Sequence, residues 1–411
     1  MKNRASGELV SPVERRAQPR GFGEKSAAGF NLFSLAWLHF LNDGASNYLP
    51  GVLPAVLEML HIPVALVGAV MAGLLIGQII QPVCGWVADR TGGRMFIIVG
   101  LIGSTAGGAL LVLSPNDWVL GLALIIIGIG NSIFHPQAMT AVRHLPGRSH
   151  GLFMSVYQIG GELGRGIWPM LASLLVVAIS LRAVALLAIP ALLTLPFIAP
   201  QLPRLPRRRP AQTHYRWRHY VKGFSPVVAF AALRSTLTYS LATFLPLWWV
   251  HRGGSLVTGA ALVTTLFTVG IIGNLGGGYF SDRIGRRVVA SIACVMSSAL
   301  LAIFLLVNGF VIWIVLALLG ISVFATLPIQ VLAGQDVMPE DRAMGSGMSL
   351  GFSSGIGAVA IALLGILAAR WSIPAVLWIN VGLNLIAAAL APLLTEGPRR
   401  EGIQDLRSEG I

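Results

Sequence analysis

The chain has 411 residues, of which 55% are hydrophobic and only 11% are charged. Ordinary soluble domains contain about 25% charged residues, and they do not contain one apolar segment of about 20 residues after another. The composition therefore excludes a soluble enzyme or binding domain and predicts an all-α integral membrane protein. Cys84 and Cys294 lie in apolar surroundings, so we interpret both as packing residues rather than a disulfide or metal site.

Apolar segments follow one another along the chain in two sets of six. We predict membrane spans at about 28–58, 64–88, 95–114, 118–140, 151–180, 182–200, 223–250, 256–280, 288–307, 310–334, 345–370 and 373–395. The predicted units are an N-terminal tail (1–27), a six-helix bundle (28–200), a basic linker (201–222), a second six-helix bundle (223–395) and a C-terminal tail (396–411).

The positions of lysine and arginine predict the orientation of these spans. With the N-terminus inside the cell, the exterior loops contain only Arg182, Arg252 and Arg370 of the 29 basic residues. Arg165 and Arg234 lie within predicted spans, and all the others fall in interior tails, turns and the linker. This bias follows the positive-inside rule and predicts that both termini are cytoplasmic. It also explains the net charge of +13 without nucleic-acid binding.

A charged motif ends the second span of each half. It reads Gly-Trp-Val-Ala-Asp-Arg-Thr-Gly-Gly-Arg in the first half and Gly-Tyr-Phe-Ser-Asp-Arg-Ile-Gly-Arg-Arg in the second. Its repetition at about half the chain length indicates an internally duplicated membrane protein. The motif residues are Gly85, Asp89, Arg90, Gly92 and Arg94, and Gly278, Asp282, Arg283, Gly285, Arg286 and Arg287. The alternative is a charge cluster that serves only topology.

The duplicated motif and the six-plus-six organisation resemble the major facilitator superfamily over about residues 28–395. The second copy fits the family pattern fully, whereas the first has Gly93 where a basic residue is common. The resemblance implies two six-helix bundles, a central cavity lined by spans 1, 4, 7 and 10, and a motif turn that latches the halves when the cavity faces outward. Spans 3, 6, 9 and 12, the outermost in the family, carry no ionisable residue in their apolar cores.

A narrower resemblance lies in the first half. Asn42-Asp43, Leu49-Pro50 with Leu53-Pro54, Phe134-His135-Pro136 and Gln158-Ile-Gly160-Gly161 resemble fosmidomycin-resistance-type exporters. That resemblance implies export of a phosphonate antibiotic or another toxic compound in exchange for protons. One departure is Trp168-Pro169, where antiporter families often have Gly-Pro, and we expect this tryptophan to alter packing or to reach into the cavity.

Polar side chains within the spans are the candidate site residues, because each ionisable group at the bilayer centre costs about 2.5–3.5 kcal/mol on insertion scales. The proton-coupling candidates are Asp43, Glu162, His39 and His135. The substrate-binding candidates are Asn42, Asn131, Gln158, Arg165, Arg234 and Gln330. Desolvation disfavours a charged carboxylate, so an acid in a dry cavity can exchange a proton near neutral pH.

Structural alternatives exist for each of these residues. Asp43 could cap a helix break near Gly44, and Glu162 and Arg165 could simply neutralise each other. Arg234 could extend its stem to the cytoplasmic surface. The two histidines could be ordinary buried residues satisfied by their neighbours.

The sequence thus predicts a secondary active transporter that exports a small drug or organic anion by alternating access, with a proton gradient as its energy source and no cofactor. Its partners are a small-molecule substrate, protons and the bilayer. We expect a monomer in a bacterial inner membrane. Proton-coupled uptake remains the alternative direction. A membrane-embedded enzyme is the rival class, although Gly347-Met-Ser349-Leu-Gly351, which matches a hydrolase elbow, lies in a predicted helix-packing segment.

Overall fold

A computed structural model describes residues 22–146, 150–205, 217–338 and 342–396. All regular secondary structure in these ranges is helical, apart from an isolated bridge between Gly93 and Leu205. The helices of the first half are α1 (Phe22–Asn47), α2 (Leu49–Met59), α3 (Val67–Ile76), α4 (Gln81–Thr91), α5 (Met95–Val112), α6 (Asp117–Arg143), α7 (His150–Ala178) and α8 (Ile189–Ile198). Short 3-10 helices lie at Val64–Leu66, Gly77–Ile80, Leu181–Ala188 and Ala199–Gln201.

The second half repeats this organisation. Its helices are α9 (Trp217–His251), α10 (Leu256–Ile284), α11 (Arg286–Leu306), α12 (Val311–Phe324), α13 (Thr326–Val337), α14 (Arg342–Arg370) and α15 (Ile373–Leu390), followed by a 3-10 turn at Ala391–Leu393. Helix α1 begins inside the predicted tail 1–27, and α9 begins inside the predicted linker 201–222. Apolar composition marks the part of a helix that crosses the bilayer, and both helices extend beyond it. Most of the two tails and half of the linker lie outside the described residues.

The helices form twelve membrane spans, as predicted. Span 1 combines α1 and α2, span 2 combines α3 and α4, span 6 is Leu181–Gln201, and span 10 combines α12 and α13; every other span is one helix. By length and composition alone, 10 spans in the described ranges are apolar enough to cross a membrane. The remaining two, spans 1 and 5, contain most of the polar candidate residues, and those residues lower their hydropathy.

Each half is a six-helix bundle, and the two bundles meet along a pseudo-symmetric interface. Helix α7 of the first half packs against α10 of the second, and α14 of the second packs against α3 of the first. Glycine permits this close approach: a Cβ at Gly68 on α3 would overlap the carbonyl oxygen of Ile361, and one at Gly166 on α7 would lie 2.5 Å from Thr268 Cγ2. The paired spans are 5 with 8 and 2 with 11, which correspond under the internal duplication.

The two motif turns attach each second span to the end of the sixth span in the same half. In the first half, Arg94 donates to the backbone carbonyls of Pro200 and Leu202. In the second, Arg287 Nε donates to the carbonyl of Leu394 over 2.7 Å, and Arg286 makes a further ion pair with Asp336 on α13, in the fourth span of that half. These bonds lie within one half, whereas the family resemblance implies a latch between halves.

Glycine and aromatic residues shape both turns. Gly92 ends α4 with φ 64°, and Gly285 ends α10 with φ 96°, values that side chains other than glycine's rarely adopt. Arg90 stacks on the Trp86 ring at 3.5 Å, and Arg283 stacks on the Tyr279 ring at 4.0 Å. The carbonyl of Gly278 accepts a hydrogen bond from Ser281 Oγ over 2.9 Å. No side-chain hydrogen bond or ion pair of Asp282 and no bond of Gly85 to a side chain occurs among the described residues, and the side chain of Asp89 lies outside them.

Candidate functional site

Three helices of the first half bring the polar candidates together in the interior. Helix α1 supplies His39, Asn42 and Asp43, α6 supplies Asn131 and His135, and α7 supplies Glu162 and Arg165. All of these side chains are buried except Arg165, which is 29% exposed. The candidates on α1, and likewise those on α6, point to the same interior because positions three or four apart share a helix face.

Asp43 is the centre of the cluster and is fully buried. Its Oδ2 accepts a hydrogen bond from Arg165 Nε at 2.9 Å and lies 3.3 Å from His39 Nε2. Its Oδ1 lies 3.2 Å from His135 Nε2 and accepts from Asn42 Nδ2 at 3.1 Å. Both oxygens therefore have two polar neighbours, one of which is a histidine ring nitrogen.

Backbone carbonyls fix the tautomers of both histidines. His39 Nδ1 lies 2.8 Å from the carbonyl oxygen of Tyr157, and His135 Nδ1 lies 2.9 Å from that of Asn131. A carbonyl oxygen only accepts, so each Nδ1 must carry a hydrogen. In the neutral tautomers that remain, both Nε2 atoms are acceptors.

The two Nε2 atoms lie 3.2 Å apart and face the carboxylate of Asp43. With His39 and His135 neutral and Asp43 ionised, four acceptor atoms converge without a hydrogen between them. One added proton, on either imidazole or on the carboxylate, converts this repulsive contact into hydrogen bonds. We call His39, Asp43 and His135 the proton triangle. Its geometry is suited to holding one exchangeable proton.

The surroundings hold the triangle rigidly. The amide Nδ2 of Asn42 donates to Asn131 Oδ1 at 2.8 Å and so joins α1 to α6. The ring of Tyr157 stacks on His39 with centroids 4.1 Å apart. Sequence reasoning missed Tyr157, because an aromatic residue on an apolar helix gives no signal of a polar partner.

Arg165 connects the proton triangle to a cavity between the halves. Besides Asp43, its guanidinium contacts Glu162, with Nη1 3.4 Å from Oε1. The cavity has a volume of about 20 Å³, which is room for about one water molecule. Its wall comprises Ser46, Asn47, Pro50, Met71, Leu74, Leu75, Gln78 and Arg165 from the first half and Tyr239, Ala242, Val263 and Phe267 from the second. A molecule in this space would contact both halves and the arginine that binds Asp43.

A separate polar group lies in the second half. Arg234 on α9 is 8% exposed and donates from Nε to Gln330 Oε1 on α13 at 2.5 Å. The amide of Gln330 donates in turn to Ser353 Oγ on α14 at 3.3 Å. Spans 7, 10 and 11 thus meet at this arginine, which is not extended to a membrane surface.

Three sequence-based expectations have different outcomes in the geometry. Asp43 does not cap a helix break, because α1 continues through Gly44 to Asn47 and the interruption falls at Tyr48. Trp168 packs rather than lining the cavity: it is buried and covers Gly44 on α1. Gln158 is half-buried on α7, and no described hydrogen bond joins it to the cluster.

The proton triangle also resembles a metal-ligand set, since its three ligand atoms lie within 4.8 Å of one another. Two imidazoles and a carboxylate are common ligands of divalent transition metals. Arg165, however, already places a full positive charge on the same carboxylate. A proton adds one positive charge beside this guanidinium where a metal would add two, and this favours the proton.

Comparisons with known proteins agree with the fold and with the sequence resemblance. The profile of the Major Facilitator Superfamily matches residues 35–358. The fosmidomycin resistance protein of Escherichia coli is 24% identical over 397 residues, or 93% of this chain and 96% of that protein. An uncharacterized MFS-type transporter of Bacillus subtilis is 26% identical over 344 residues, which cover 80% and 84%.

A solved structure supports the fold independently. The bacterial homolog of the human lysosomal transporter Spinster, in an inward-facing and occupied conformation, superimposes with a TM-score of 0.75. The match covers 89% of this chain and 96% of that chain at 16% sequence identity. At this identity the likeness concerns the fold alone.

Proposed function

The chain belongs to the Major Facilitator Superfamily, and from this premise we propose that it is a proton-coupled transporter that exports a small organic compound. The observation that carries the proposal is the proton triangle, in which carbonyl-fixed imidazoles and a carboxylate leave a place for one proton. The family supplies the framework of alternating access between two bundles. The triangle supplies the coupling.

The proton step follows from the contacts of Asp43. Without the added proton, the carboxylate is a full acceptor for Arg165 Nε. Protonation of the carboxylate, or sharing of a proton with His39 or His135, reduces the negative charge available to the guanidinium. Arg165 is then freer to turn toward the cavity that it lines. Binding of a proton to the triangle and binding of a substrate in the cavity thereby influence each other through the Arg165 side chain.

Arg165 also lies on the helix that forms the interface between the halves. Helix α7 packs along α10, so a change at Arg165 acts where the two bundles must move relative to each other. Glu162, one turn away on α7, is the second candidate proton carrier, because its Oε1 contacts the same guanidinium. We assign the leading role to Asp43, which contacts both histidines.

Export is favoured by the relatives. The fosmidomycin resistance protein matches the chain nearly end to end, and the motifs shared with that group are in the half that contains the triangle. We further propose that the protein is in a bacterial inner membrane with both termini cytoplasmic, as the distribution of basic residues indicates. Each chain contains the complete set of polar groups, so we propose that the monomer transports.

A susceptibility assay tests the proposed function. The full chain, expressed in an exporter-deficient bacterium, should raise the fosmidomycin concentration that stops growth, and Asp43→Asn should remove this protection. The control is His144→Gln, since His144 caps the C-terminus of α6, the helix of His135, and makes the same Nδ1 contact to a carbonyl four residues earlier, but is exposed.

The outcomes separate the competing functions. Protection by wild type and by His144→Gln, but not by Asp43→Asn, supports export coupled through the triangle. Greater sensitivity of cells carrying the wild-type chain would identify uptake instead. Full protection by Asp43→Asn at wild-type expression would contradict the role of the triangle. If added chelator abolished protection, a bound metal rather than a proton would occupy the site.

A further inference from the structure

Two buried charged groups on opposite halves each have one atom that finds no hydrogen-bond partner among the described residues. These atoms are Glu162 Oε2 on α7 and Arg234 Nη1 on α9. Glu162 is 4% exposed and Arg234 is 8% exposed, so water reaches neither side chain freely. An unpartnered charged atom that is buried costs more free energy than a neutral one. A ligand that supplied both missing partners would therefore gain affinity.

The partners that these residues do have determine what is left open. Arg234 is fixed through Nε by Gln330, and this leaves the hydrogens of Nη1 available as donors. Glu162 is held through Oε1 by Arg165, and this leaves Oε2 available as an acceptor. One half of the molecule thus offers a cationic donor, and the other half offers an anionic acceptor.

Glu162 and Arg234 do not satisfy each other. No ion pair within 4.0 Å joins them among the described residues, although their charges are near enough to interact. Both are adjacent to side chains of the cavity wall: Glu162 contacts Arg165, and Arg234 lies just over one turn before Tyr239 on α9. The two charges thus lie next to Arg165 and Tyr239, which line the cavity from opposite halves.

We propose that this site takes a small zwitterion, with its anionic group on Arg234 and its ammonium group on Glu162. The inference rests on the proposed transport function and narrows the substrate class. A simple anion would pair with Arg234 but leave Glu162 unpartnered and face its negative charge. A simple cation would leave Arg234 unpartnered in the same way. Only a molecule that carries both charges pairs both atoms and bridges the two halves.

Calorimetric binding of three probes to the purified full chain in detergent tests the proposal. The probes are 2-aminoethylphosphonate, which carries both charges, ethylphosphonate, which lacks the amine, and ethylamine, which lacks the phosphonate. Wild type should bind 2-aminoethylphosphonate at least about tenfold more tightly than either of the others. Glu162→Gln should remove its advantage over ethylphosphonate, and Arg234→Gln its advantage over ethylamine. Arg252→Gln is the control, because Arg252 is exposed and bonded to Asn308.

Several results would overturn the zwitterion site. Equal affinities of wild type for 2-aminoethylphosphonate and ethylphosphonate would do so, as would no binding of any probe at millimolar concentration. Wild-type transport by the exchanged pair Glu162→Arg with Arg234→Glu would show that the two residues serve each other during the cycle instead. Binding is measured without a proton gradient, so it tests the zwitterion site separately from proton coupling. Selective binding of 2-aminoethylphosphonate can be found even if Asp43 proves dispensable for coupling. Conversely, Asp43 can prove essential for coupling even if binding shows no such selectivity.

Discussion

The two halves share one fold but differ in the chemistry of their interiors. The first half buries two carboxylates and two histidines around Arg165. In the described part of the second half, Arg234 is the one buried charged side chain, and neutral amides such as Asn380 and Asn384 make the other polar contacts. The two halves therefore share their packing, while the buried carboxylates and histidines of the described residues lie in one bundle.

This asymmetry indicates that the two halves have different roles in transport. The first half can change its charge by taking up a proton, whereas the second half presents a fixed cation. If the halves differ in this way, substitutions in the first should affect energy coupling, and those in the second should affect substrate recognition. Substitutions in each half therefore test this contrast.

The largest effect is expected for Asp43→Asn. The change removes the acceptor of Arg165 and the counter-charge of both histidines, and breaking one partner of a buried charge pair costs about 3–5 kcal/mol. Transport driven by a pH gradient into proteoliposomes should fall by about 100-fold or more, while downhill exchange remains measurable. If the variant still concentrates substrate against its gradient, Asp43 is not the essential carrier, and Glu162→Gln becomes the next test.

His135→Gln should have the next largest effect. Glutamine can keep a polar contact at this position, but it cannot take up a proton as an imidazole can. The dependence of the transport rate on pH should flatten, with a loss of about tenfold at the wild-type optimum. His144→Gln should keep the wild-type pH profile. An unchanged profile in His135→Gln would remove this histidine from the coupling.

Arg234→Lys should weaken recognition without uncoupling. Lysine keeps the charge but cannot hold Gln330 through Nε and a substrate through Nη1 at the same time. Loss of a hydrogen bond to a charged group costs about 1.5–3 kcal/mol, so the Kd of a phosphonate should rise by about tenfold or more. A neutral substrate should be spared. Equal weakening of both kinds of substrate would indicate a structural arginine.

The smallest effects are expected at the motif turns. Arg94→Ala and Arg287→Ala each remove a bond to the end of a sixth span, and exposed contacts of this kind contribute about 1 kcal/mol or less. We expect the transport rate to fall by up to about fivefold with unchanged substrate affinity in detergent, and the same separation for Asp89→Asn. A loss of affinity with normal exchange between facing states would contradict a gating role.

The sequence was sufficient to predict the twelve spans, because hydropathy and charge bias depend on local composition. It also singled out Asp43, His39 and His135, since polar residues on apolar helices are costly and their helical spacing places them on shared faces. The sequence could not predict the tautomers of the two histidines. They depend on the backbone carbonyls of Tyr157 and Asn131, which are brought into position by the packing of α1, α6 and α7. The zwitterion site depends likewise on which atoms remain unpaired after folding.

The most direct test of the account is a count of the protons bound by the triangle. Purified wild-type protein should take up about one more proton than Asp43→Asn when the pH is lowered from about 8 to 5. Asp117→Asn is the control, because it removes an exposed carboxylate at the start of α6 and leaves every histidine in place, and it should take up as many protons as wild type. The uptake can be measured with a pH-indicator dye on protein that elutes as a folded monomer. If all three proteins take up the same number of protons, the triangle holds no exchangeable proton, and the proposed coupling is wrong.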